Sequence, residues 1–298
     1  MPPTRKSAHP IPKKKKAPTL SSRIKSTSST GAKSKPTKKR RRRVSARAKS
    51  TSRAIAKARS KKTSPQLSLV DQVEAVLESL ELLAEERVLD DMSKRYGIYT
   101  TKAFGVSMAN MQKVARPLGR NHELAAALWD TGWYEARMLT SFVDEPELVT
   151  PAQMDRWCGD FDNWGICDTL CFHLFDRTPH AWHKVAQWSH RKSEFVKRAA
   201  FALLACLALH DKQASDRWFV DGLLLIERAA TDERNFVKKG VSWALRAIGR
   251  RNTSLNSAAV TLARRLADST SPAARWVGND ALRDITSSVV TKRLAARV

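Results

Sequence analysis

The chain has 298 residues, enough for one or two domains, and its 42% apolar content can build a hydrophobic core. Its formal net charge of +25 is uneven, because residues 1–64 hold 23 of the 54 Lys and Arg and none of the 29 Asp and Glu. The other residues carry 31 basic and 29 acidic side chains, so any nucleic-acid surface there depends on where the charges lie. No apolar run approaches the ~20 residues of a membrane span, and no apolar secretory segment follows the N-terminus. We therefore expect no membrane partner.

Residues 1–64 consist mainly of Lys, Arg, Ser, Thr, Pro and Ala, with basic runs at 13–16 and 38–43. Like charges repel and few of these side chains can be buried, so the composition predicts a disordered Lys/Arg-rich tail. Such a tail would bind phosphate backbones through counterion release, or would serve for solubility or targeting. The second run could act as a nuclear import signal. We expect a nuclear protein in a eukaryote and a cytoplasmic, nucleoid-associated protein in a bacterium.

Residues 65–298 form the second predicted domain, and their apolar spacing is helical almost throughout. A first helix is predicted over 68–95, ended by Gly97, and Ser107 is expected to cap the next. A hydroxyl residue followed by proline predicts three further helix starts, at Thr150-Pro151, Thr178-Pro179 and Ser271-Pro272. Other helices are predicted near 123–129, 133–145, 163–177, 194–209, 216–230, 235–250 and 255–268. No run of strand periodicity stands out, so the predicted fold class is all-α.

The helical region also repeats. Residues 195–200 align with residues 236–241 at an offset of 41, and residues 274–277 form a looser third copy. A period near 40 with two helices per unit is typical of HEAT-like repeats, which stack into an α-solenoid.

Basic residues occupy equivalent positions of the two clearer copies. Lys197 and Arg198 align with Lys238 and Lys239. If successive copies stack, these side chains form a basic ladder along one face, which would supply a local DNA-binding surface. The alternative is two separate solvated helix N-termini, although cations are mildly unfavourable at that end of a helix.

Metal and cofactor chemistry has little support in the sequence. The chain contains no Gly-rich phosphate loop and no CxxC pair, and His180 and His183 share helical spacing without a third ligand. We therefore expect no metal and no cofactor. The four cysteines are expected to be reduced core thiols: Cys158, Cys167, Cys171 and Cys206.

Trp164 and Asp168 lie four residues apart, so on a helix they share one face. A carboxylate in a partly desolvated pocket can stabilise an oxocarbenium-like cation and orient water onto it. The indole faces of Trp164 and Trp243 would favour the same cation, and the guanidinium of Arg198 could hold a phosphate. The alternative is structural: tryptophans are usually core residues, and an aspartate on a helix is usually a cap or an ion-pair partner.

Residues 72–290 resemble the DNA alkylation repair glycosylases, which are HEAT-like-repeat enzymes that excise alkylpurines. The resemblance rests on the order and spacing of short segments: Phe104-Gly105-Val106, Leu128-Trp129 with Gly132, Tyr134-Glu135-Ala136-Arg137, Asp162-Asn163-Trp164-Gly165-Ile166-Cys167-Asp168, Lys197-Arg198-Ala199-Ala200 and Ser242-Trp243-Ala244-Leu245-Arg246. Gly165 and Ile166 depart from the family, in which bulkier or polar residues are common at these positions.

The resemblance implies roles for four residues. Asp168 would stabilise positive charge at the anomeric carbon of the lesion and position the hydrolytic water. Trp164 and Trp243 would contact the sugar through their π faces, and Arg198 would contact the backbone near the lesion. Substrates would be cationic N3- and N7-alkylpurines, whose base need not be flipped into a pocket, in contrast to most glycosylases.

The sequence thus predicts a monomeric DNA glycosylase of base excision repair, acting on double-stranded DNA with alkylated bases. One alternative is a non-catalytic HEAT-repeat protein that binds damaged or branched DNA. A second alternative is a HEAT scaffold that binds another protein. The predicted basic ladder fits either DNA-binding interpretation better than the scaffold.

Overall fold

The computed structural model describes residues 67–296, which form fourteen α-helices, one short 3-10 helix and no β-strand. The first seven are α1 (Leu69–Glu81), α2 (Glu86–Lys94), α3 (Met108–Leu118), α4 (His122–Asp130), α5 (Tyr134–Val143), α6 (Pro151–Gly159) and α7 (Trp164–His173). After the 3-10 helix Phe175–Arg177 come α8 (Ala181–Ser189), α9 (Glu194–His210), α10 (Asp216–Ala229), α11 (Asn235–Gly249), α12 (Thr253–Ala267), α13 (Pro272–Ile285) and α14 (Ser288–Ala295). The all-α class is confirmed. The basic tail expected at 1–64 lies outside the described residues.

The helices pack in two layers. In the front layer, α3, α5, α7, α9, α11 and α13 lie side by side, each against the next. The back layer consists of α4, α6, α8, α10 and α12, which pack against front-layer helices. This alternation is that of a solenoid of helical repeats, as predicted. It places equivalent residues on neighbouring front helices: the rings of Phe195 on α9 and Phe236 on α11 are 5.2 Å apart.

The repeat contacts bury most of α9. Every residue from Arg198 to Ala208 is buried, because α9 packs against α7, α8 and α11.

Within residues 67–296, each helix is too short or too polar to span a lipid bilayer.

Three of the four predicted hydroxyl caps are confirmed. The side chains of Ser107, Thr150 and Ser271 each accept a hydrogen bond from a backbone N–H in the first turn of the helix that follows. The prediction for Thr178-Pro179 is wrong. The Thr178 hydroxyl donates to the carbonyl of Phe175 (2.9 Å), so it closes the 3-10 turn before it, and α8 begins only at Ala181.

The single helix predicted over 68–95 is also wrong, because the structure divides it into α1 and α2. Glu85 adopts an extended backbone, and its N–H donates to the carbonyl of Gly105 (3.0 Å). The interruption therefore comes from a contact with a distant loop, and residues 82–85 contain no Gly or Pro that would signal it. Gly97 follows the end of α2 as predicted, with a φ of 62°.

A fully buried carboxylate holds that loop in place. Glu135 on α5 accepts hydrogen bonds from the backbone N–H groups of Phe104 (3.0 Å), Gly105 (2.8 Å) and Val106 (3.1 Å). Burying these N–H groups without partners would be costly. Two of the segments that suggested the family therefore bind each other, and this contact fixes the loop against α5.

Replacing this carboxylate should strongly destabilise the fold. We expect Glu135→Ala to lower the free energy of unfolding by about 3 kcal/mol or more, because three backbone donors lose their acceptor. Urea unfolding measures the change. The control is Glu147→Ala, an exposed glutamate whose loss should change stability by less than about 0.5 kcal/mol. Equal unfolding midpoints for the two variants would contradict the anchoring role.

Candidate functional site

The candidate site begins at the N-terminus of α7. Asn163 is buried and caps this helix: its side-chain oxygen accepts from the N–H of Ile166 (3.0 Å). A cap of this kind fixes where the first turn starts. Trp164 is therefore the first residue of α7, and Asp168 lies one turn later on the same face, as the spacing predicted. Both side chains are half-buried.

The loop after α2 holds the indole of Trp164. The indole N–H donates to the carbonyl of Tyr96 (2.9 Å), and the two rings meet edge to face with centroids 6.3 Å apart. Tyr96 is 44% exposed, so it forms the outer border of the site. These two contacts orient Trp164.

Gly165 allows α7 to approach α5 closely. A β-carbon at this position would lie 2.6 Å from the hydroxyl of Tyr134 and 3.1 Å from the side chain of Ile98. Tyr134 is buried, and burial together with the charges of Glu135 and Asp162 raises its pKa well above the ordinary value, so the hydroxyl stays neutral. The departure from the family pattern at Gly165 is thus a packing requirement.

We expect Gly165→Ala to destabilise the protein by about 1–3 kcal/mol, because its methyl group overpacks the contact with Tyr134. The Gly165→Ala/Tyr134→Phe double variant should recover much of that loss. The control is Gly159→Ala in α6, where a β-carbon meets no atom of residues 67–296 within 4 Å. Thermal unfolding compares the three proteins. A fall in stability for Gly159→Ala equal to that for Gly165→Ala would contradict the steric explanation.

Asp168 forms a bidentate ion pair with Arg198 of α9. The Nε and Nη2 atoms of Arg198 donate to Oδ1 (2.9 Å) and Oδ2 (2.7 Å) of Asp168. The side chains are 20% exposed for Asp168 and 7% for Arg198. Thiols align the two helices: Cys167 donates to the carbonyl of Phe195 (3.8 Å) and Cys171 to that of Ala199 (3.6 Å). Asp168 is thus also an ion-pair partner, which is the structural role that the sequence left open for it.

Burial and charge act on this pair in opposite directions. Burial raises the pKa of Asp168 above its ordinary value, and the adjacent guanidinium opposes that rise. Burial acts to lower the pKa of Arg198, but the charge and hydrogen bonds of Asp168 raise it above its ordinary value. Arg198 therefore carries its full charge, and it is the group that favours an ionised carboxylate in this partly dry site.

The position of Arg198 differs from that expected of a phosphate ligand. It is only 6% exposed, and its Nη1 donates to the carbonyl of Phe236 (2.7 Å), whose ring lies 6.0 Å from the guanidinium carbon. Three of its five N–H groups are thus used inside the protein. A backbone phosphate contact stays a prediction and would use the remaining two.

Trp243 lies further along the front layer. It is half-buried on α11, seven residues after Phe236 and hence on the same face, about 10 Å along the axis. Within the described residues, no hydrogen bond or ring contact joins it to Trp164, Asp168 or Arg198. The structure therefore brings Asp168 and Arg198 together, with Trp164 on the same helix as Asp168 and Trp243 on the front helix that follows α9.

A family model described as DNA alkylation repair enzyme matches residues 76–285, which is most of the chain. The chain belongs to this family of DNA alkylation repair enzymes. The matched range includes all four candidate residues: Trp164, Asp168, Arg198 and Trp243. The family expected from the sequence is confirmed.

One solved structure is consistent with the same fold. One similar chain is described as belonging to a new family of proteins related to the HEAT-like repeat DNA glycosylases with affinity for branched DNA structures. It is 21% identical, with a TM-score of 0.58, and the alignment covers 64% of this chain and 82% of that chain. A designed armadillo repeat protein in complex with the peptide (KR)4 is 12% identical, with a TM-score of 0.32 and coverage of 70% and 86%. No curated protein sequence matches significantly.

The basic ladder of this repair-family protein is less uniform than predicted. Adjacent residues on a helix point about 100° apart, so Lys197 points in a different direction from Arg198, and Lys238 from Lys239. Lys197 binds Asp232 (3.0 Å), while the Nζ of Lys238 lies 5.0 Å from the ring centroid of Trp276. Of the second set of equivalent residues, Arg198 and Lys239, Arg198 is buried, as described above. Only Lys239 is exposed and without a charged partner among the described residues.

Sequence reasoning missed two residues that shape the site of this family member. Tyr96 borders Trp164, and Phe236 contacts Arg198 through its carbonyl. Phe236 could have been found, since it repeats Phe195 at the 41-residue offset.

Metal ligation has no support in residues 67–296, where no group of three His, Cys, Asp or Glu side chains could hold an ion.

Proposed function

We propose that this protein is a DNA glycosylase that hydrolyses the N-glycosidic bond of cationic alkylated purines, the N3- and N7-methylpurines, in duplex DNA. The observation that carries this proposal is the half-buried carboxylate of Asp168, oriented by the bidentate contact with Arg198 and one helical turn from Trp164. A carboxylate in this setting suits a reaction in which positive charge develops on a sugar.

The proposed reaction breaks the bond between C1′ of the deoxyribose and the purine nitrogen. The bond's electron pair goes to the purine, which leaves as a neutral base because it was already cationic. The sugar becomes oxocarbenium-like, and the charge of Asp168 stabilises it. A water molecule oriented by the same carboxylate adds to C1′ and releases a proton to solvent, which leaves an abasic site.

The other residues would support this step. Arg198 would hold the carboxylate in one orientation and keep it ionised, so it acts on the sugar through Asp168. The ring faces of Trp164 and Trp243 would favour the same positive charge. Lys197, Lys238 and Lys239 would bind the DNA backbone, Lys239 most directly because it is exposed.

A second candidate function is DNA binding without base excision. It is favoured by the ion pair itself, since both carboxylate oxygens of Asp168 already accept hydrogen bonds from Arg198. A carboxylate used in this way could simply connect α7 to α9. The similar protein described as having affinity for branched DNA shares only the fold, because its identity is 21%.

Release of free base from methylated DNA separates the two candidates. Purified protein is incubated with duplex DNA containing 7-methylguanine, and both released base and abasic sites are quantified, while affinity is measured on unmodified duplex. The glycosylase proposal expects base release in proportion to active protein. Tight binding without release would support the second candidate, and absence of binding would exclude both in favour of a protein-binding scaffold.

A further inference from the structure

An open cavity of about 440 Å³ lies beside Trp243, and Asp168 is not among the residues that line it. It is formed by the C-terminal halves of α9 and α11, the segments that follow these helices, and α14. Its volume is in the range of small-molecule binding sites. The residues that line it are Ala205, Ala208, Leu209, Lys212, Ala214, Asp216, Trp243, Arg246, Ala247, Arg250, Arg251, Asn252 and Arg293.

The lining is strongly basic. Five of the lining residues are Lys or Arg, and the only acid among them is Asp216, which accepts hydrogen bonds from Asn252 (3.0 and 2.9 Å). Arg246 lies 3.6 Å from Asp280, and Arg250 pairs with Asp284, two acids that do not line the cavity. Positive charge at the cavity thus exceeds negative charge, and the excess suits a phosphate group.

Arg293 is the cation best placed to bind a ligand there. It is exposed on α14, and it forms no ion pair with any residue between 67 and 296. It also borders a second, smaller cavity beside Arg250. A phosphate between Arg250 and Arg293 would therefore meet two guanidinium groups, one just after α11 and one on α14, beside the carboxylate of Asp284 that pairs with Arg250.

Part of the cavity lining is apolar. Trp243 contributes its indole, and Ala205, Ala208 and Ala247 contribute methyl groups from two neighbouring front helices. Trp243 donates no hydrogen bond to a described residue, and no other ring of the described chain stacks on it. A planar group could lie against this part of the lining, since indoles stack on any nucleobase.

The cavity is close to the proposed reaction site. Ala205 lies seven residues after Arg198 on α9, and Trp243 seven residues after Phe236 on α11. Both offsets are about 10 Å along the helix, which corresponds to roughly three steps along one DNA strand. A strand that passes Asp168 could therefore place another nucleotide in the cavity.

We propose that this cavity binds one unpaired nucleotide of DNA, with its base against Trp243 and its phosphate on Arg250 and Arg293. The inference rests on the proposed DNA binding and adds a preference for DNA in which one nucleotide has left the duplex. It does not require base excision: the indole of Trp243 would stack on the unpaired base in this complex and would face the lesion's sugar in the excision complex, so either property can be present without the other.

The test compares two DNA duplexes that differ only in one bulged nucleotide, 2-aminopurine. The full-length protein should bind the bulged duplex about tenfold more tightly than the paired one, and stacking on the indole should quench the 2-aminopurine fluorescence. The affinity ratio is the affinity for the bulged duplex divided by that for the paired duplex. Arg293→Ala should reduce this ratio at least about threefold, because one phosphate contact is lost. Lys292→Ala is the matched control, since Lys292 is exposed on the same helix but lines neither cavity.

A second variant tests the space itself. Ala247→Leu should fill part of the cavity and lower the affinity ratio while every cation stays in place. Equal affinity of the wild type for the two duplexes overturns the inference, and so does an Arg293→Ala ratio equal to that of Lys292→Ala. Equal affinities accompanied by base release from methylated DNA overturn the cavity site alone, whereas failure to bind either duplex overturns the proposed function as well.

Discussion

Asp168→Asn should abolish base release from methylated DNA, with a rate at least about 100-fold below that of the wild type. Asparagine has nearly the same shape and can still accept a hydrogen bond from Arg198. However, it carries no charge, so it cannot stabilise the positive charge that develops on the sugar. Affinity for unmodified duplex should stay close to that of the wild type, because the carboxylate does not favour binding to phosphates.

The measurement is single-turnover release of 7-methylguanine with protein in excess over DNA. Asp162→Asn is the matched control, because Asp162 lies in the same segment but its side chain is exposed and, among the described residues, forms a hydrogen bond only with Asn163. It should release base at nearly the wild-type rate. If Asp168→Asn released base as fast as the control, the carboxylate would have no part in the reaction and its role would be structural.

The ion pair adds a condition to that experiment. Neutralising Asp168 leaves the 6% exposed Arg198 without its counter-charge, and loss of one partner of a buried pair can cost about 3–5 kcal/mol. Asparagine retains part of the contact, so its cost should be lower. The release rate must therefore be expressed per folded molecule, with the folded fraction measured by circular dichroism under the assay conditions.

Local patterns in the sequence predicted much of the fold. Hydroxyl caps and the 41-residue repeat depend on residues near each other in the chain, and they predicted Ser107, Thr150 and the pairing of Phe195 with Phe236. The break between α1 and α2 could not be predicted in this way. It depends on a hydrogen bond from Glu85 to Gly105, twenty residues away, and no local propensity records such a contact.

The candidate site shows the same division. The shared face of Trp164 and Asp168 follows from helical geometry alone. The partner of Asp168 does not, because Arg198 lies 30 residues later, and an arginine in a DNA-repair sequence suggests a phosphate ligand. The burial of Glu135 could not be predicted either, since a glutamate on a helix normally faces solvent. Only the fold shows that loop 104–106 covers it.

Arg198→Met should destabilise the protein by about 3–5 kcal/mol near neutral pH, because it leaves the carboxylate of Asp168 buried without a counter-charge. The repeat-equivalent substitution Lys239→Met is the control. Lys239 is exposed, so its loss should change stability by less than about 0.5 kcal/mol. Urea unfolding measures both variants.

The pH dependence identifies the charge as the cause. Burial already raises the pKa of Asp168 in the folded protein, and removal of the guanidinium should raise it further. A carboxylate whose folded pKa exceeds its unfolded value of about 3.9 destabilises the fold once it ionises. The deficit of Arg198→Met should therefore be smallest near pH 4 and should grow as the pH rises through the raised pKa of Asp168.

The Asp168→Asn/Arg198→Met double variant separates charge from packing. It contains no ionisable group at the pair, so it should be more stable than Arg198→Met at pH 8 and should lose the pH-dependent part of the deficit. It should still release no base. A deficit of Arg198→Met that is constant from pH 4 to pH 8 would mean that Arg198 acts through its packing and its bond to Phe236. In that case the ionised state of Asp168 would not depend on Arg198, and the proposed orienting role would be limited to geometry.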